Sequence, residues 1–215
     1  LSRAYLDCDA EDAVRAIIVT GAGSTFCAGA DFAGDPFSTP GADFTASPID
    51  PPAFELRTPV IAAVNGHAVG IGLTIALQAD IRVMAADAKY AVPQARLGVL
   101  GDCASHWTLP HLAGPGVAAE LLLTGRTFDG AEAVRMGIAN HTAAADEVLP
   151  HALAVARDIA VNVAPASAAL SKRLLWDTVI NGYGPRQVAV LETAAHREVM
   201  GGPNAAEGVA AYRER

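Results

Sequence analysis

The segment Val60-Ile61-Ala62-Ala63-Val64 is apolar at every position and ends on Asn65-Gly66, so it has no polar side to turn toward water. A strand of this kind must be covered on both faces, as in a parallel sheet flanked by helices. Ala16-Ile17-Ile18-Val19-Thr20 repeats the pattern and stops at Gly21-Ala22-Gly23. After Gly70-Ile71-Gly72, the run Leu73, Ile75, Ala76, Leu77 reads as a short buried helix feeding a further strand, Asp80-Ile81-Arg82-Val83-Met84. From Val117 onward the period becomes helical, over residues 117–124, 130–136, 148–162, 167–180, 187–200 and 204–213. Strands crowd the first half and helices the second, which predicts an α/β core with a helical C-terminal layer.

With 215 residues, 52% of them hydrophobic, the chain is long enough for one sizeable core and reads as one domain. Its net charge of −8 gives no electrostatic support to a nucleic-acid or anionic-membrane partner and leaves a small molecule as the expected one. The apolar runs fall far short of the roughly 20 residues a bilayer span requires. Cys8, Cys27 and Cys103 form no C-x-x-C pair and leave one cysteine over. Neither a zinc knuckle nor a disulfide framework is indicated, no metal site is expected, and a reducing cytoplasm fits best. The chain opens on Leu1-Ser2-Arg3 rather than on methionine, which leaves room for residues before it. Residues 34–55 are rich in Pro, Ser, Thr and Gly and have no period, so they read as a long surface loop placed to shape a pocket.

Two glycine-rich segments carry the chemistry. In Phe26-Cys27-Ala28-Gly29-Ala30-Asp31 the small residues let a ligand approach the main chain and leave backbone N–H groups free as donors, while Asp31 is suited to cap a following turn. In Asn65-Gly66-His67-Ala68-Val69-Gly70-Ile71-Gly72 a strand is delivered through a turn to a helix start, where N–H groups lack intrahelical partners. A dinucleotide fingerprint at Gly21-x-Gly23 is rejected. Phe26 stands where the third small residue is needed, and no acidic residue closes a second strand at the right distance.

The two segments together, with Asp80-Ile81-Arg82-Val83, Leu97-Gly98, Leu109-Pro110-x-Leu112-x-Gly114, Leu122-Leu123-Thr124-Gly125-Arg126 and Ala131-x-x-Ala133-x-x-Met136-Gly137, resemble the crotonase (enoyl-CoA hydratase/isomerase) family. The likeness runs through nearly the whole chain from Arg15, without the family's first strands. It implies a spiral of β-β-α units over residues 1–150 and a helical trimerisation region over 151–215, assembled as a trimer or a dimer of trimers. It also implies an acyl-CoA substrate, with coenzyme A arriving as part of that substrate and no separate cofactor. In such enzymes two backbone N–H groups polarise the thioester carbonyl, and the matching positions here are Ala30 and Ile71. Donors aimed at developing enolate charge are worth about 10²–10³ in rate each. Ala28, Asp31, Phe32, Gly70, Gly72 and Gly101 are the expected substrate contacts around them.

The family's hydratases handle water with two glutamates, and the matching positions hold Thr74 and Gln94. Neither side chain is a general base near neutral pH, which counts against two-glutamate hydration and leaves both as substrate-contacting positions. Asp102 stands where the family's isomerases place a proton-shuttling aspartate, and its dehalogenases a nucleophile. One carboxylate suffices for double-bond isomerisation, so the expected activity is an isomerase-like one with Asp102 as base. The competing readings are an N-cap role for Asp102, a thioesterase-like Cys103 beside His106, and a non-catalytic acyl-CoA binder. His67 reads as a satisfied turn histidine. Leu170, Leu174, Leu175 and Trp176 read as core or subunit interface. Lys172-Arg173 reads as a solvated face, or by resemblance as a holder of CoA phosphates.

Overall fold

The computed structural model describes residues 1–31, 33 and 41–213; Phe32 and the first part of the long loop lie outside the described residues. After helix α1 (Ser2–Ala10) come strands β1 (Ile17–Thr20), β2 (Thr25–Cys27), β3 (Val60–Val64) and β4 (His67–Val69), helix α2 (Ile71–Ala76), and strands β5 (Ile81–Ala85) and β6 (Tyr90–Ala91). Helices α3 (Ser105–Thr124) and α4 (Gly130–Arg135), strand β7 (His141–Ala143), and helices α5 (Val148–Asn162), α6 (Pro165–Asn181), α7 (Pro185–Val199) and α8 (Pro203–Arg213) follow.

The odd-numbered strands form one parallel sheet in the order β1-β3-β5-β7, and the even-numbered ones a second parallel sheet, β2-β4-β6. The chain therefore lays one strand in each sheet per unit and returns through a helix or loop, which is the spiral of β-β-α turns. Every residue of β3 is buried, in keeping with its unbroken apolar run. Its Val and Ile side chains contribute about 1.5–3 kcal/mol each relative to exposure. Helix α5 packs along the larger sheet and α2 against β2 and β4.

Asn65 joins the units at their turns. Its Nδ2 donates to the carbonyls of Gly21 and Gly23, at 3.1 and 2.8 Å, and its Oδ1 accepts from the Gly21 N–H at 3.0 Å. The glycine turn after β1 is thereby tied to the one after β3, and β2 starts level with β4, Thr25 beside His67.

Helix α6 is fastened by a buried ion pair. Lys172, 6% exposed, donates to Asp80 Oδ2 at 2.8 Å and to the carbonyls of Ala53 and Thr58. Asp80 also accepts from Trp176 Nε1 at 2.7 Å and from the Val60 N–H at 2.7 Å. Burial pushes the Lys172 amine below the usual lysine range against the opposing pull of Asp80. This corrects the reading of Lys172 as a solvated or phosphate-holding residue, because all three of its donors are spent inside the fold. Of the apolar set on α6, Leu170 and Trp176 are buried while Leu175 is 59% exposed.

Candidate active site

The two glycine segments meet. Parallel pairing of β2 with β4 sets Cys27 beside Ala68, and the backbones then close further at Gly29 and Gly70. A Cβ built on Gly29 would lie 2.8 Å from the Val69 carbonyl oxygen, and one on Gly70 would lie 4.0 Å from the Gly29 Cα. Both glycines have positive φ, +94° and +58°, a region that side-chain-bearing residues rarely enter. Ala30 and Ile71 each follow one of these glycines. Neither Ala30 N–H nor Ile71 N–H has an acceptor among the described residues, and Ile71 is the first residue of α2, whose N–H has no intrahelical partner.

Ala28 and Asp31 are exposed at the rim, where Asp31 Oδ1 accepts from the Ala33 N–H at 2.9 Å, the expected turn-capping bond. Gly72 also serves the packing of the fold. It is buried, and a Cβ there would sit 2.3 Å from the Cys27 carbonyl oxygen, so this glycine lets α2 press onto β2. Gly101 lies against Ser105 and His106.

Asp102 is brought to α2 as well. Its Oδ1 accepts a 2.5 Å hydrogen bond from the hydroxyl of Thr74, a wholly buried residue one helical turn along from Ile71. The N-cap reading of Asp102 is corrected, since Ala104 occupies the N-cap of α3 and receives no side-chain bond. Only the Asp102 carbonyl serves the helix, accepting from the Ser105 N–H at 2.8 Å.

Cys103 and Ala104 both have left-handed backbones, with φ of 46° and 59°. Such residues cost about 1–3 kcal/mol each and persist where surrounding contacts enforce them. Two contacts do so here: the Cys103 N–H donates to the Ala46 carbonyl at 2.9 Å, and Gln78 Nε2 donates to the Cys103 carbonyl at 3.1 Å. Part of the long loop thus packs on the Asp102 turn.

Gln94 is 7% exposed, with its Nε2 3.7 Å from where a Gly70 Cβ would stand, and its Oε1 has no hydrogen-bond partner among the described residues. Cys103 is fully buried, and burial followed by the Asp102 charge pushes its thiol up to about 11. That is the reverse of what a nucleophilic thiolate needs and counts against the thioesterase-like reading. His67 Nδ1 accepts from the Lys89 N–H at 2.9 Å, the satisfied histidine expected. Among the described residues no group of three or more His, Cys, Asp or Glu side chains is placed to hold a metal ion.

The family model for enoyl-CoA hydratase/isomerase matches residues 1–215. This chain belongs to that family. A solved structure described as a "probable enoyl-CoA hydratase/isomerase" from Mycobacterium abscessus superposes with a TM-score of 0.96 at 54% identity, covering 100% of this chain and 84% of that one. Enoyl-CoA hydratase AFT3-1 of Alternaria alternata is 36% identical over 212 residues, 96% of this chain and 71% of the relative. Carnitinyl-CoA dehydratase of Proteus mirabilis is 36% identical over 215 residues, 95% of this chain and 80% of the relative. The chain is thus an enzyme of the crotonase type, with the family's α/β fold. No single described helix is long and apolar enough to cross a membrane; α5 and α6 pass that test only as a pair bent by 117°.

Proposed function

We propose that this enzyme shifts a double bond in an acyl-CoA thioester, with Asp102 moving the proton and the amides of Ala30 and Ile71 holding the thioester oxygen. The observation that carries the reading is the Thr74–Asp102 contact. It sets a carboxylate one helical turn from the Ile71 amide while the two hydratase-glutamate positions hold Thr74 and Gln94. A carboxylate oxygen takes a C2 proton from a 3-enoyl thioester. The C–H electron pair becomes a dienolate whose oxygen sits between the two N–H groups, and the same proton returns at C4, giving the 2-enoyl thioester. No external acid, base or redox partner is consumed.

Water addition or removal is the second reading, favoured by the names of the Alternaria and Proteus relatives. One assay pair separates the two. Isomerisation of a 3-enoyl-CoA is expected to fall by about 10²–10⁴ in Asp102→Ala, the usual worth of a positioned acid–base group, with binding of CoA esters retained. Robust hydration of crotonyl-CoA by the unaltered enzyme would overturn the isomerase reading. Absence of turnover with either substrate would leave an acyl-CoA binder.

The proposal extends to assembly: residues 151–215 join copies of the chain into a trimer or a pair of trimers. Its support is an apolar groove of about 500 Å³ between α6 and α7, lined by Leu170, Leu174, Leu175, Val188 and Val199. Light scattering should give three or six times the 22.0 kDa chain mass; a monomer at micromolar concentration would contradict it. A cytoplasmic setting is proposed with it, supported by three cysteines that form no disulfide.

A further inference from the structure

We infer that Thr74 is a positioning residue that fixes the Asp102 carboxylate and selects Oδ2 as the oxygen that exchanges the proton. The inference rests on Asp102 acting as the base. Thr74 has one hydroxyl hydrogen and two acceptors in reach, Asp102 Oδ1 at 2.5 Å and the Ile71 carbonyl at 3.2 Å. The shorter contact, to a carboxylate that can only accept, takes the hydrogen. Asp102 Oδ2 has no hydrogen-bond partner among the described residues and stays available.

Thr74 is itself enclosed. It is 0% exposed, and its N–H donates to the Gly70 carbonyl at 3.1 Å, the glycine that sets the Ile71 amide. Four residues on, Gln78 donates to the Cys103 carbonyl and holds the left-handed turn that carries Asp102. Ile71 and Thr74 lie in α2, and Gln78 follows two residues past its last residue. A single short stretch therefore carries an oxyanion donor, the clamp on the base and the tether of the base's loop. Their relative placement is built in rather than left to two independent loops, and small misplacements of catalytic groups are costly in rate.

The test compares Thr74→Val, which keeps the branched shape and loses the hydroxyl, with Thr74→Ser, which keeps the hydroxyl, on a 3-enoyl-CoA. Thr74→Val should lower kcat by about 10-fold to 100-fold, with KM within about twofold of the unaltered enzyme. Thr74→Ser should restore most of the loss. A kcat for Thr74→Val within about twofold of the unaltered enzyme would overturn the inference. So would a Ser variant as impaired as the Val variant, since packing and not the hydroxyl would then be at work. Asp102→Ala run alongside tells the two failures apart: if it keeps full turnover, the base assignment falls, and if it abolishes turnover while Thr74→Val is active, only the role of Thr74 falls.

Discussion

A methyl group at Gly29 would meet the Val69 carbonyl oxygen at 2.8 Å, on a backbone whose φ is +94°. Gly29→Ala must either force the two segments apart or hold the alanine in a strained backbone, at about 1–3 kcal/mol for the strain alone. We expect a lowered thermal midpoint together with a larger loss in kcat than in CoA-ester affinity; turnover and melting equal to those of the unaltered enzyme would show that the close approach has no role. The glycine segments that carry Ala30 and Ile71 are legible in the sequence because each is a short local motif. The Thr74–Asp102 contact is not, because it joins residues 28 apart whose types announce no pairing. Lys172 misled for a similar reason. Beside Arg173 it reads as a charged helix face, and only the arrival of Asp80 and two backbone carbonyls makes its burial tolerable.

Among the elements, β3 over 60–64 and α5 over 148–162 coincide with the bounds their patterns predict, whereas α1 over Ser2–Ala10 has no counterpart in the sequence reading. Strands β2, β4, β6 and β7 hold only two or three residues, too few for any period to register, and they form only because a neighbouring strand is present to pair with. A helical period is visible only from residue 117, whereas α3 begins at Ser105. Pro110 and Gly114-Pro115 look like breakers in sequence, and in the structure Gly114, with φ 78° and ψ 159°, makes a kink between two helical pieces. The first piece carries the strained Cys103-Ala104 entry, so a local rule failed at the turn that presents Asp102. The ion pair under α6 acts at the same scale. Its desolvation offsets much of its attraction, and what it gives the fold is a fixed seat for the helix rather than a large net stabilisation.

At the scale of the molecule, two parallel sheets fed by alternating strands put β2 and β4 side by side, and with them the two glycine segments. The fold class was readable from the order of strands and helices, and the family from the paired motifs. The acyl group was not, because no motif or period in the chain marks it. The account as a whole stands on the thioester carbonyl being polarised by the amides of Ala30 and Ile71. Infrared difference spectroscopy on a CoA thioester labelled with carbon-13 at its carbonyl, bound to the Asp102→Ala enzyme, tests this most directly. A carbonyl band moved to lower frequency than in solution is the predicted result; a band at its solution position in the fully bound complex would contradict the account.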